Sequence, residues 1–307
     1  MVFLRPKLLV ISYWSLVIGH WLLVFKTVKS TIKLIRNQAV IVNQDYQDYQ
    51  FNYVFIGDRH KPVILLLHGF MGNCADFSAI VGEFGEFCCL MVDLPGHGET
   101  KVRRDINYQM PHVAQALIEL LEQLAIKQCI LWGYSMGGRI ALYLAVYFPQ
   151  YFQRVILEST SPGLKTRQEC DRRIAQDLQL AQQLESIELS QFIQQWYRNP
   201  LFKSLVQHPD YEQVFARRLH NDPFKLAKSL RYMGLGMQPS LWNHLSAIQT
   251  PLILVVGRLD DKFIAINRRI LSLCPQANLN IVKNTGHNVH FEQTWKLSKL
   301  IKELIKK

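Results

Sequence analysis

The chain has 307 residues, of which 49% are hydrophobic and 19% charged, and this composition is typical of a globular protein. The formal net charge of +11 raises the question of a nucleic-acid or membrane partner, but much of the excess lies near the two ends. No basic stripe interleaved with aromatic residues occurs in the middle, and the six cysteines form no CxxC pair. We therefore expect no nucleic-acid binding and a reducing, cytoplasmic location.

The N-terminal extension, residues 1–46, contains an apolar segment at 8–25 without any Asp, Glu, Lys or Arg. Its 18 residues are at the lower limit for a helix that spans a bilayer. If it inserts, the basic residues that follow it predict that its C-terminal side stays cytoplasmic. Two interpretations stay open: membrane association through residues 8–25, or a start codon placed too early.

From residue 49 onward, apolar runs that end in turns alternate with helical periodicity. FNYVFIG predicts an edge strand, and MPHVAQALIELLEQLAI predicts a helix with Pro111 near its start. Strands covered on both faces are predicted for the apolar runs PVILLLHG, FCCLMV and QCILWGYS, and further strands for RVILEST, PLILVVG and ANLNIV. This alternation predicts the α/β class, with a mostly parallel, doubly wound sheet.

The strand pattern disappears over residues 161–247, which are charged and helical in period. This stretch separates two predicted strands of one sheet. We interpret it as a helical cap over the carboxyl ends of the strands, where open α/β sheets bind their ligands. The core then consists of residues 47–160 and 248–307.

The sequence GYSMG, residues 133–137, follows one predicted buried strand and opens a helix. This is the context of a nucleophile elbow, in which a serine stands on a sharp turn and close contacts require glycine two positions before and after it. We therefore predict Ser135 as the catalytic nucleophile or base, within the α/β-hydrolase fold.

A serine hydroxyl needs an imidazole, and the imidazole needs a carboxylate that orients it. In this fold the acid and the histidine follow late strands, and we predict Asp260 and His287 for these roles. Asp261 and His290 are interpreted as part of a surface loop and the start of the final helix. The backbone N–H groups of Met136 and Phe70 are the predicted oxyanion hole.

Arg139 is harder to explain, because it lies one helical turn after Ser135 and is followed by apolar and aromatic residues. A buried guanidinium without a partner costs several kcal/mol, so Arg139 needs an anion. Two readings stay open: a structural salt bridge to an acid such as Asp93 or Glu158, or a substrate carboxylate. Arginines of the cap, among them Arg173, Arg217 and Arg218, favour an anionic ligand.

Several motifs together resemble one family, the 2-succinyl-6-hydroxy-2,4-cyclohexadiene-1-carboxylate synthases, which are MenH-type lyases with the α/β-hydrolase fold. The motifs are HGFMG, DLPGHGET, GYSMGGR, QWYRNPLFKSL, GLGMQPSLW and GHNVHFE. The resemblance runs from about residue 49 to the C-terminus, and GYSMGG alone is shared with many esterases. The N-terminal extension departs from the family.

The resemblance implies elimination of pyruvate from a small tricarboxylate in menaquinone or phylloquinone biosynthesis, without cofactor or metal. Ser135, made basic by His287 and Asp260, would remove a ring proton, and the amides of Phe70 and Met136 would stabilise the enolate. Matched positions imply substrate binding by Arg139, Arg173, Arg218, Tyr134 and Trp196.

Two other functions stay in competition with the lyase. The same three residues could serve an ester or C–C-bond hydrolase of a carboxylate-bearing small molecule that works through an acyl-enzyme. A membrane-tethered binding module on a hydrolase fold is the third hypothesis, and an intact set of serine, acid and histidine argues against it.

Overall fold

A seven-stranded sheet forms the centre of the molecule, with strand order β2-β4-β3-β6-β7-β8-β9. The computed structural model describes residues 48–306, so the extension at 1–46 and its apolar segment lie outside the described residues. The strands of this sheet are β2 (Tyr53–Ile56), β3 (Val63–Leu67), β4 (Cys88–Val92), β6 (Cys129–Tyr134), β7 (Phe152–Glu158), β8 (Leu252–Gly257) and β9 (Ala277–Val282). The predicted strands and this sheet agree closely, and the predicted α/β-hydrolase class is confirmed.

The edge strand β2 pairs antiparallel with β4, whereas the other neighbouring strands pair in parallel. Alternate residues of β3 belong to two different apolar clusters. Leu65 and Leu67 pack in one cluster, and Ile64 and Leu66 pack in the other. Both faces of the sheet are therefore covered, which explains why its inner strands are continuous apolar runs. A short second sheet pairs β1 (Tyr49–Gln50) with β5 (Lys101–Val102), and the sequence pattern did not predict it.

Helices follow most strands of the core. In the core these helices span Ser78–Val81, Met110–Gln123, Met136–Tyr147, Asp261–Leu273, Val289–Glu292 and Thr294–Ile305. The helix Met136–Tyr147 begins directly after β6, so the residues between them lie at the carboxyl edge of the sheet.

Five further helices lie between β7 and β8, the stretch predicted as a cap. They span Arg167–Ser186, Leu189–Tyr197, Lys203–Val206, Tyr211–Arg218 and Pro223–Met233. A capping box fixes the start of the first, because Thr166 accepts from the Glu169 N–H while the Glu169 carboxylate accepts from the Thr166 N–H. These helices share an apolar cluster of their own, and one of its members, Met71, comes from the core.

Within residues 48–306, no helix combines the length and the apolar character that a bilayer span requires. The segment at 8–25 is not included in that finding.

Candidate active site

Ser135 stands on a strained turn between β6 and the following helix. Its backbone has φ of 50° and ψ of −105°, a combination that residues other than glycine rarely adopt. A Cβ on Gly133 would lie 2.4 Å from the Gly137 carbonyl oxygen, and one on Gly137 would lie 2.2 Å from the Leu67 carbonyl oxygen. Both glycines are therefore sterically required, as the elbow motif predicts.

The structure brings Ser135, His287 and Asp260 together from three separate elements. Ser135 Oγ lies 3.0 Å from His287 Nε2, and His287 Nδ1 lies 2.7 Å from Asp260 Oδ2. Asp260 is 4% exposed and His287 2%, so water has little access to the pair. The other carboxylate oxygen of Asp260 accepts from the Phe263 N–H at 3.2 Å, which fixes its orientation at the start of a helix. This geometry can move a proton away from Ser135 Oγ.

The two alternative residues from the sequence lie in other surroundings. Asp261 is exposed at the start of its helix. His290 is buried and its Nδ1 lies 2.9 Å from the Glu158 carboxylate, which also accepts from the His290 N–H. His290 therefore belongs to a buried pair behind the sheet edge rather than to the Ser135 hydrogen bond.

Phe70 and Met136, the predicted oxyanion hole, both line the cavity in front of Ser135. Met136 is the first residue of its helix, so its N–H has no acceptor within the helix. The turn that carries Phe70 is joined to that helix, because the Gly137 N–H donates to the His68 carbonyl at 3.0 Å. The His68 side chain accepts from the Leu94 N–H at 2.9 Å and contacts the Gly69 carbonyl, so it shapes the turn.

A cavity of about 560 Å³ lies between the sheet edge and the cap helices. The predicted residues that line it are Phe70, Ser135, Met136, Arg139, Arg173, Trp196, Asp260 and His287. Of the described residues, two predicted ones are not among its lining: Tyr134 and Arg218. Tyr134 is buried behind the site, with its ring centroid 5.5 Å from that of His287.

Arg139 lines the cavity without an acidic partner. Its guanidinium donates to two neutral oxygens, the Met233 carbonyl at 3.2 Å and Gln238 Oε1 at 3.3 Å. Within residues 48–306, no carboxylate lies within 4 Å of it. Burial and the neighbouring Arg173 charge lower the pKa of Arg139 to about 10, against a smaller opposing effect of the Asp177 carboxylate, so Arg139 still carries its charge at neutral pH.

The acids that could have formed a structural salt bridge with Arg139 are occupied elsewhere. Asp93 accepts from backbone N–H groups of Cys74 and Glu99 and from the Asn52 side chain. Glu158 accepts from Trp132 Nε1 at 3.0 Å and contacts His290. The salt-bridge reading for these two acids is therefore wrong.

The two cap arginines differ in their surroundings. Arg173 lines the cavity, is partly exposed, and its Nε donates to Asp177 at 2.9 Å. Arg218 is 3% exposed and donates through both terminal nitrogens to Asp76, at 2.7 and 2.8 Å. Despite burial, the Asp76 carboxylate raises the pKa of Arg218, and the pKa of Asp76 is lowered to about 2. Arg218 thus has a protein carboxylate as its partner.

Sequence reasoning missed two charged residues near the site. Lys262 lines the cavity, and its place two positions after the predicted acid Asp260 was the available signal. Asp76, a lone acid in the apolar run CADF, is buried against the cap. A buried carboxylate requires a cation, but the run does not indicate which one.

The chain is similar over most of its length to proteins of one family. The family described as alpha/beta hydrolase fold matches residues 62–294. A protein of Bacillus subtilis (strain 168), named as a candidate 2-succinyl-6-hydroxy-2,4-cyclohexadiene-1-carboxylate synthase, is 35% identical over 253 residues, which are 81% of this chain and 92% of that protein. The synthase of that name from Citrobacter koseri is 32% identical over 236 residues, which are 77% of this chain and 90% of the relative.

A solved structure extends the similarity to the backbone. MenH from S. aureus superposes with a TM-score of 0.79 at 31% sequence identity, and the match covers 85% of this chain and 98% of that one. Because the match covers nearly all of that protein, the similarity includes the cap as well as the core.

Proposed function

We propose that this chain, which belongs to the 2-succinyl-6-hydroxy-2,4-cyclohexadiene-1-carboxylate synthase-like family of α/β-hydrolase-fold enzymes, is a carbon–oxygen lyase. Its reaction is the elimination of pyruvate from 2-succinyl-5-enolpyruvyl-6-hydroxy-3-cyclohexene-1-carboxylate. The product is 2-succinyl-6-hydroxy-2,4-cyclohexadiene-1-carboxylate, a step of menaquinone or phylloquinone biosynthesis.

The observation that carries the proposal is the charge of Arg139. A guanidinium in a largely desolvated position is stabilised by a carboxylate, and here it has only neutral acceptors at 3.2 and 3.3 Å. It lines the same cavity as Ser135. A substrate carboxylate would supply the missing anion within reach of the reacting group, and the tricarboxylate substrate has three to offer.

Proton removal is assigned to Ser135. His287 Nε2, 3.0 Å away, takes the hydroxyl proton, and the Asp260 carboxylate stabilises the imidazolium that forms. Ser135 Oγ then takes the ring proton that the succinyl carbonyl makes acidic. The electron pair of the broken C–H bond forms an enolate on that carbonyl.

The enolate is stabilised by the backbone N–H groups of Phe70 and Met136, which act where negative charge develops. When the enolate collapses, the C–O bond to the enolpyruvyl group breaks. The leaving group takes the proton held by His287 and departs as pyruvate. Ser135 keeps the ring proton as its hydroxyl, and His287 is neutral again.

Substrate binding is assigned chiefly to Arg139 and Arg173, the two arginines that line the cavity, with Lys262 as a third cation. Trp196 forms an aromatic wall, with its ring centroid 5.0 Å from that of Phe70. Tyr134 packs behind His287 and supports it from the protein side. Binding of a substrate carboxylate by Arg218 stays a prediction, and its pairing with Asp76 favours a different role.

An ester or C–C-bond hydrolase is the alternative, because the arrangement of Ser135, His287 and Asp260 is equally suited to acyl transfer. Such an enzyme would form an acyl-Ser135 intermediate and show a burst of product with p-nitrophenyl esters. Hydrolysis of such a neutral ester would depend little on Arg139, since this probe offers no carboxylate.

The test is pyruvate release by the full chain from the enzymatically generated substrate, followed with a lactate dehydrogenase couple. Because this substrate loses pyruvate slowly unaided, the Ser135→Ala variant is the control. We expect release in the parent that exceeds the control by about 10³-fold or more. Release no faster than the control would overturn the lyase and leave the hydrolase alternative.

A further inference from the structure

The turn that carries Phe70 has a conformation that needs support from outside. It follows β3 and is closed by a hydrogen bond from the Gly72 N–H to the Gly69 carbonyl at 3.0 Å. Within this turn, Met71 has φ of 61°, in the left-handed region that residues other than glycine rarely occupy. Such a conformation persists only where the surrounding contacts hold it.

The cap supplies the first of these contacts. Met71 is 0% exposed, and its side chain belongs to the apolar cluster of the cap helices. Asn221, at the end of one cap helix, donates its side-chain N–H to the Met71 carbonyl at 3.0 Å and to the Arg218 carbonyl at 3.0 Å. A single amide thus joins the strained residue to the chain segment that carries Arg218.

A second contact runs through Asp76. A Cβ on Gly72 would lie 2.5 Å from Asp76 Oδ2, so the carboxylate packs directly against the backbone of the turn. The same carboxylate is held by Nη1 and Nη2 of Arg218, at 2.7 and 2.8 Å. The position of the cap arginine therefore determines the position of a carboxylate that the turn contacts.

All three nitrogens of the Arg218 guanidinium already donate to side chains of the protein. Its Nε donates to the Tyr197 hydroxyl at 3.1 Å, and both terminal nitrogens donate to Asp76. Arg218 is 3% exposed and is not among the residues that line the cavity, so a substrate carboxylate in the cavity does not reach its remaining N–H groups without a rearrangement of the buried ion pair.

We propose that Arg218, Asp76 and Asn221, here called the cap latch, are positioning residues that hold the Phe70 N–H where the enolate oxygen develops. The latch deepens the proposed function and rests on it for one element, the use of the Phe70 N–H as an oxyanion donor. A positioning role of this kind affects the transition state more than the bound substrate. Loss of the latch therefore lowers kcat, whereas loss of a substrate ligand would weaken substrate binding.

The first measurement separates kcat from binding in the full chain. The variants are Asn221→Ala and Arg218→Lys, with His220→Ala as the control, because His220 is the exposed neighbour of Asn221. We expect both latch variants to lower kcat for pyruvate release about 10–100-fold and the control to leave it unchanged. Substrate Kd, measured with the same substitutions added to Ser135→Ala, should change little.

Hydrogen exchange provides a readout that does not depend on activity. We expect faster exchange in the peptide 66–76 of both latch variants, with the helix Met110–Gln123 unchanged. If the parent protein released pyruvate no faster than Ser135→Ala, the proposed function would be overturned. The comparison of hydrogen exchange would still decide whether the latch holds the turn. Unchanged exchange, or a roughly tenfold weaker Kd with kcat intact in Arg218→Lys, would overturn the latch.

Discussion

Arg139 and Arg218 are both arginines at the ligand-facing side of the molecule, yet their surroundings are opposite. Arg218 has a bidentate carboxylate partner and is sealed from the cavity, whereas Arg139 lines the cavity and has neutral acceptors. The first charge is balanced within the protein, and the second awaits an anion from outside. The difference teaches that a buried arginine in a sequence indicates an anion without indicating whose it is.

The largest expected effect is on the free energy of unfolding, which should depend on Arg218 much more than on Arg139. Arg218→Met leaves Asp76 as a buried carboxylate facing only the partly buried Arg217, whose Nε lies 3.5 Å away. We expect the free energy of unfolding to fall by about 3–5 kcal/mol, measured by urea denaturation. The double variant Asp76→Leu with Arg218→Met should recover most of the loss, because no unpaired charge remains.

Arg139→Met should give the reverse result. The substitution removes a charge without an acidic partner together with two hydrogen bonds to neutral oxygens, so we expect the free energy of unfolding to change by about 1 kcal/mol or less. Activity should suffer instead: kcat/KM for pyruvate release should fall by about 1.5–3 kcal/mol, the range for a charge-assisted hydrogen bond. An unchanged kcat/KM would refute the carboxylate role, and a large loss of stability would show that the protein itself balances Arg139.

Some features of the fold and the site could be predicted from the sequence, and others could not. The strands and the Ser135 elbow could be predicted because each depends on local pattern, a continuous apolar run or glycines two positions from a serine. Arg139 could be singled out because it lies in the first turn of an apolar helix. The partner of Arg218 could not be predicted, because Asp76 lies 142 residues away and only the packing of cap on core brings them together.

The pH dependence of stability provides a smaller effect on the Arg218 side. Because Arg218 lowers the pKa of Asp76 to about 2, below its ordinary value, the ion pair stabilises the folded state above the ordinary carboxyl range. This contribution is lost as pH falls toward 2. The stability difference between the parent and Asp76→Asn should therefore be full at neutral pH and shrink on acidification below about pH 4. A difference that stays constant down to pH 2 would contradict the charged pair.

Substitution of Lys262 should have the smallest effect on substrate use. It tests whether an exposed cation in the cavity lining contributes to substrate binding. It lines the cavity as Arg139 does, but its side chain is exposed and solvent screens its charge. We expect Lys262→Met to raise KM by a factor that corresponds to about 1 kcal/mol or less, with kcat unchanged. The matched control is Lys283→Met, another exposed lysine, which lies outside the cavity lining.

Salt distinguishes the two cations on the substrate side. The Lys262→Met effect should disappear in about 1 M salt, where the Debye length is about 3 Å, while most of the Arg139→Met effect should persist because Arg139 is only partly exposed. If both effects vanish together, the carboxylate on Arg139 is solvated, and its unpaired charge cannot be the reason for tight substrate binding. If only the Lys262 effect vanishes, burial decides which cation in this cavity holds the substrate.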